Sequence, residues 1–169
     1  MTDLRTAAER GWAAASRDDA APTVAYFERL LAEHPSSGLA LYHCARAHDY
    51  AGEPDRAAPL YERAFAAGLP DFELRRGLTS YGSTLRNLGR AGEAVEVLER
   101  ARERFPKDAL LRCYLALALH TAGREADALA TMLDLALAHV EDPELQVNRW
   151  ALGNYAAALR NGYWSPDGR

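Results

Sequence analysis

The stretch NLGRAGEAVEVLERAR, Asn87–Arg102, decides how this chain is read. Two other stretches look like it: YAGEPDRAAPLYERAF, Tyr50–Phe65, and TAGREADALATMLDLA, Thr121–Ala136. Each places an Ala five positions after a Gly and an apolar residue four beyond that Ala. The glycines are Gly52, Gly89 and Gly123, so the two intervals are 37 and 34 residues. Self-similarity at such a period is the mark of stacked supersecondary units. The three extra residues of the first interval fit an insertion near Pro70–Leu74, between two units.

Composition agrees with a helical repeat. Apolar residues make up 49% of the 169 and charged residues 26%, a globular mix. Alanine, the best helix former, is roughly a fifth of the chain. Val and Ile are few, and no stretch alternates apolar and polar residues as a strand would. The net charge of −4 argues against a nucleic-acid or anionic-membrane partner. Every basic residue but Lys107 is Arg, which reads as coding bias and lowers the weight given to any one Arg. Cys44 and Cys113 have no paired spacing, so they read as reduced packing thiols of a cytoplasmic protein. No leader-like apolar segment and no run near 18 apolar residues is present, so secretion and membrane spanning are not expected.

The 34-residue pattern resembles the tetratricopeptide repeat (TPR), as seen in small bacterial TPR proteins. The unit 75–108 matches best, with Leu78, Gly82, Leu85, Ala94, Leu98, Ala101 and the closing Pro106, while Tyr81 is larger than usual. The unit 38–71 supplies Leu41, Ala45, Ala57, Tyr61 and Ala64, with His48 at an aromatic place. The unit 109–142 supplies Leu115, Ala116, Leu119, Ala128 and Met132, with Arg112 and Leu135 departing. A degenerate unit, 4–37, keeps Gly11, Phe27 and Pro35, with Arg10 and Thr23 departing. The expected fold is all-α: a right-handed TPR-type solenoid of about four helix pairs and a capping helix over 143–160. It forms one domain, 1–162, followed by a tail, 163–169. Asp142 and Pro143 supply the N-cap and first position of the capping helix.

Catalytic readings fail on their own requirements. SYGSTLRNLGR, Ser80–Arg90, has six residues between its glycines and no preceding strand, so it is not a phosphate loop. It lacks the second Gly of a nucleophile elbow. A Ser83–His43–Asp49 chain would need an oxyanion hole, and mid-helix N–H groups are already engaged. His43 and His48 are five apart, off the i, i+4 spacing of a helical zinc site. No enzyme, metal or cofactor is expected.

The resemblance implies a ligand face lined by the first helix of each unit. The residues at its positions are Tyr42, Arg46, Asp49 and Tyr50 in one unit, Thr79, Ser83, Arg86 and Asn87 in the next, and His120 in the last. Arg76 and Trp12 fall at corresponding places. Thr79, Ser83, Arg86 and Asn87 also make one helical stripe by spacing alone, and only Arg86 in it is charged. The structural alternative is an Asp49–Arg86 ion pair with the hydroxyls capping carbonyls. The two-carboxylate clamp of chaperone-binding TPR domains is absent, since no first helix carries a lysine. The expected function is a non-enzymatic scaffold that binds a peptide or protein segment, with Arg46 and Arg86 engaging a carboxylate or other acidic group. The alternative is a self-associating homodimer whose groove or ends are filled by its own chain, with Tyr163 and Trp164 as candidate contacts. An RNA-reading repeat is a remote third, opposed by the acidic charge.

Overall fold

The computed structural model describes residues 3–162; the expected tail contacts, Tyr163 and Trp164, lie outside them. Among the described residues all regular structure is α-helical. The helices are α1 (Leu4–Ala13), α2 (Ala21–Glu33), α3 (Gly38–Tyr50), α4 (Pro54–Ala67), α5 (Asp71–Asn87), α6 (Ala91–Arg104), α7 (Ala109–Thr121), α8 (Glu125–His139), α9 (Pro143–Val147) and α10 (Arg149–Asn161). They follow the expected succession of helix pairs with a helical cap at the C-terminal end. The chain forms two compact units divided between Gly89 and Arg90, where the sequence reading had one continuous domain. The division falls between α5 and α6, the two helices of the third expected repeat.

The turns explain the repeated glycine. Gly52, Gly89 and Gly123 sit two residues past α3, α5 and α7 with φ of 74°, 76° and 74°. An L side chain is strained there, so Gly reverses the chain at low cost. Helix starts are capped where the sequence offers a short polar side chain. Ser37, Asp108 and Asp142 accept from the N–H groups of Ala40, Leu111 and Leu145. Pro35 and Pro106 follow the ends of α2 and α6, where no further N–H is needed.

In unit 1, α2 packs on α3, α3 on α4 and α4 on α5, while the first helices α1, α3 and α5 also touch in series. Phe27, Leu30, Val24, Cys44, Ala8 and Ala47 form one buried cluster, with Trp12 and Tyr26 against its edge. Burial pushes the Cys44 thiol up to about 11, so it stays protonated and inert. A second aromatic group, Tyr61, Phe65 and Tyr81, fills the space between α4 and α5. His48 is buried as expected for its aromatic place, and its Nδ1 lies 2.7 Å from Glu53 Oε2. In unit 2, α6 packs on α7, α7 on α8 and α8 on α10.

Three elements differ from the sequence reading. The insertion expected between two units is taken up as helix: it lengthens α5 at its start, Pro70 preceding the helix and Asp71 and Glu73 lying in its first turn. The capping helix is broken at Asn148, whose side chain donates to the Glu144 carbonyl at 2.9 Å and competes with the backbone ladder. In α8 the buried face runs through Ala128, Thr131 and Leu135, leaving Met132, a match to the repeat pattern, 42% exposed.

Candidate functional site

The face of unit 1 built by α1, α3 and α5 gathers most of the expected binding residues. Trp12, on α1, donates its indole N–H to His43 Nδ1 on α3 at 3.0 Å. That bond fixes His43 as a neutral ring whose remaining proton sits on Nε2. Burial first, then the charges of Arg46, Arg5 and Arg76, lower its pKa to about 3. The ring stacks on Phe27 at 5.7 Å and tilts against Tyr42 at 4.9 Å. With Nδ1 occupied by Trp12, His43 is not joined to Ser83 or Asp49, and no catalytic chain exists among the three.

Arg46 lies one helical turn beyond Tyr42. Its guanidinium sits 4.3 Å from the Trp12 ring centroid and 5.5 Å from that of Tyr42. Planar guanidinium groups stack on aromatic faces and keep their edge N–H groups available for a carboxylate. Tyr50 meets Trp12 edge-on at 5.9 Å, and Arg17 lies 5.0 Å from the Tyr50 ring. Arg46, Tyr50 and Trp12 therefore form one half-buried aromatic and cationic patch.

Three expected contact residues are placed differently. Tyr42 is buried and offers no apolar area to a partner: Gly77 on α5 has no Cβ to obstruct its ring. Its hydroxyl pKa is raised, chiefly by burial. Thr79 is also buried, and its hydroxyl donates to the Arg75 carbonyl one turn back, at 3.0 Å. Asp49 is a structural acceptor. It receives the Tyr61 hydroxyl at 2.8 Å, and the Thr84 hydroxyl lies 2.8 Å from its carboxylate. Burial raises the Asp49 pKa, opposed by those two hydrogen bonds. This carboxylate ties α3 to α4 and α5.

The rest of the α5 stripe is more open. Ser83 and Arg86 are half-buried and Asn87 is exposed. The Asp49–Arg86 pair of the structural alternative is not formed; Arg86 Nη2 donates instead to Asn87 Oδ1 at 3.1 Å, and its buried Nε has no partner among the described residues. His120 stands exposed in the last turn of α7, in unit 2.

Sequence reasoning committed to neither Trp12 as the platform for Arg46 nor Thr84 and Tyr61 as the partners of Asp49. Repeat register placed Trp12 at a first-helix position but did not set it under Arg46. Nothing local announces Thr84, which differs from its neighbours Thr79 and Ser83 only in the direction it faces.

Comparison with known proteins agrees with this architecture. A family model described as Tetratrico peptide repeat matches residues 38–159. The chain belongs to the tetratricopeptide repeat family. Among solved structures it is similar to YrrB, a TPR protein with an unusual peptide-binding site, at 17% identity and a TM-score of 0.52 over 95% of this chain and 93% of that one. At that identity the likeness concerns the fold. No curated protein matches. Among the described residues no group of three or more His, Cys, Asp or Glu is placed to hold a metal, and no helix is long and apolar enough to cross a membrane. The TPR protein is a non-enzymatic scaffold of the kind that binds proteins or peptides.

Proposed function

We propose that the protein holds an extended segment of a partner on the α1–α3–α5 face of unit 1, and that the segment carries an acidic group. One observation carries the reading. The Arg46 guanidinium lies 4.3 Å from the Trp12 ring centroid and has no carboxylate within ion-pair distance among the described residues. A guanidinium held over an aromatic ring has lost much of its side-chain freedom before a ligand arrives. Tyr50 adds contact area, and Arg86, Asn87 and Ser83 continue the face along α5. Arg and aromatic residues are the types that dominate binding energy at such surfaces. His120, in unit 2, is not among these residues.

Affinity recovery from a native lysate with mass spectrometry tests this. A Tyr50→Ala/Arg86→Ala double variant should recover at least about tenfold less of the partner at unchanged helicity, the loss of two interface anchors. Unchanged recovery sinks the assignment of this face.

A second reading, self-association, is favoured by a cleft of about 330 Å³ in unit 2. It is lined by Leu129, Leu133, Tyr155 and Leu159, from α8 and α10. Leu129 and Tyr155 are more than half exposed there, and a second copy of the chain would cover them.

A further inference from the structure

Unit 2 holds a second cavity, of about 320 Å³, whose lining is unlike the apolar cleft between α8 and α10. Three arginines line it from three helices: Arg102 near the end of α6, Arg112 near the start of α7 and Arg160 near the end of α10. Glu103 and Asp134 are the carboxylates of the lining.

The sequence marks one of these residues. Arg112 stands at the place that Leu41 and Leu78 fill in two other repeats, an apolar packing place. Coding bias explains why a cation here is Arg, but not why a cation takes a packing place. A guanidinium there needs polar company or water. Arg112 Nη2 donates to the Pro106 carbonyl, in the loop between α6 and α7, at 2.8 Å, and Pro106 also lines the cavity. That bond holds the guanidinium by one corner. Its other N–H groups have no partner among the described residues, and the side chain is half-exposed.

The remaining charges do not close on themselves. Arg160 is paired with Asp134 of α8. Thr131, also in the lining, spends its hydroxyl on the Asp127 carbonyl at 2.8 Å. Arg102 is half-exposed and has neither an ion-pair nor a hydrogen-bond partner among the described residues. Three guanidinium groups against two carboxylates leave one positive charge in excess. A cation would be repelled, and an apolar ligand would strip water from Arg102 and Arg112 with nothing in return. A phosphate dianion would overcompensate the excess. A single carboxylate balances it, and its two oxygens match the planar N–H fork of a guanidinium. Small-molecule sites begin at about 300 Å³, so the cavity has room for a small acid or the end of a chain.

We propose that this cavity binds one carboxylate group, with Arg102 and Arg112 as its donors and the Arg160–Asp134 pair as a wall. All of its residues belong to unit 2, so the site is independent of the Arg46 face. The carboxylate comes from a small free acid or from the C-terminal end of a peptide.

The test titrates the full chain, ¹⁵N-labelled, with propionate at constant ionic strength, the backbone amides of Arg102 and Arg112 serving as reporters. Both should shift saturably, with a dissociation constant on the order of 1–10 mM for so small a ligand. Propionamide, neutral and of the same shape, should leave them unmoved. Arg102→Gln should weaken propionate about tenfold, the scale of a lost charge-assisted hydrogen bond. Arg112→Leu restores the residue of the other repeats and should abolish binding at unchanged helicity. Arg100→Gln, on α6 but outside the cavity, should leave binding unchanged. Acetyl-Ala-Ala with a free carboxyl, binding more tightly than propionate, would assign the carboxylate to a peptide end; equal or weaker binding would assign it to a small free acid. Three results overturn the site: no saturable shift with either acid up to about 50 mM, beyond weak specific binding; inorganic phosphate binding more tightly than propionate; or Arg100→Gln weakening propionate as much as Arg102→Gln.

Discussion

His43 illustrates how one buried side chain makes the stability of unit 1 depend on pH. Its pKa is about 3 when folded, against about 6.5 in an unfolded chain. The unfolded state therefore binds a proton between those values and the folded state does not. Stability from this group is complete above pH 6.5 and is lost as pH falls towards 3. The slope is at most about 1.4 kcal/mol per pH unit. His43→Gln keeps an acceptor for the Trp12 indole and cannot charge. Urea unfolding from pH 7 to 4 should show wild type losing stability faster than His43→Gln. Parallel curves would mean that His43 titrates normally. Asp49 has the opposite sign. Burial raises its folded pKa, so the folded state binds the proton more tightly. Stability from that source is present at low pH and falls as pH rises through the folded value. Asp49→Asn should therefore gain on wild type as pH rises from 4 to 7 in the same assay.

At the level of elements, α4 and α3 show where the chain works against its own fold and where it cannot yield. Pro59 lies inside α4, on its exposed side. It cannot donate to the Asp55 carbonyl one turn back, and its ring crowds that turn. Mid-helix Pro is about 3 kcal/mol worse than Ala, less about 1 kcal/mol that its rigidity recovers from the unfolded chain. Pro59→Ala should raise stability by about 1–2 kcal/mol, measured by urea unfolding. An unchanged midpoint would show that α4 has already adapted to the proline. Gly38 is the converse. A Cβ there would run into the Gly68 carbonyl oxygen, which is backbone. Gly38→Ala should cost about 1–3 kcal/mol, the scale of overpacking. The helix pairs were legible because they rest on signals local in sequence: Gly89 closing α5, Pro106 ending α6, and apolar positions at helical spacing. The break at Asn148 and the early start of α5 were not. Each depends on which of two local hydrogen-bond or capping choices wins, and composition does not rank them.

Across the whole chain, the two units expose different chemistry. The α1–α3–α5 face of unit 1 offers Arg46 on Trp12, with Tyr50, Ser83 and Asn87 around it. Much of this was legible, because first-helix positions follow from the repeat register. What the register could not supply was depth: Tyr42, Thr79 and Asp49 fall at exposed-face positions, yet Gly77, the Arg75 carbonyl, and Tyr61 with Thr84 draw them inward. Unit 2 instead exposes Leu129, Met132 and Tyr155 along α8 and α10, with Trp150 80% exposed at the start of α10. That surface arises because α8 buries Ala128, Ala130, Thr131, Leu135 and Leu137 on one side and leaves Leu129 and Met132 on the other. Exposed apolar groups gathered on one element pair drive association. A charge at the centre of such a contact has no partner when buried and opposes it. If a second copy covers this cleft, Leu129→Glu should shift the wild-type dimer towards monomer in sedimentation velocity, while the response of Trp12 to an acidic peptide stays unchanged. Wild type that sediments as a monomer at high concentration removes the self-association reading. It leaves the peptide face untouched, because no residue of that face lies on α8 or α10.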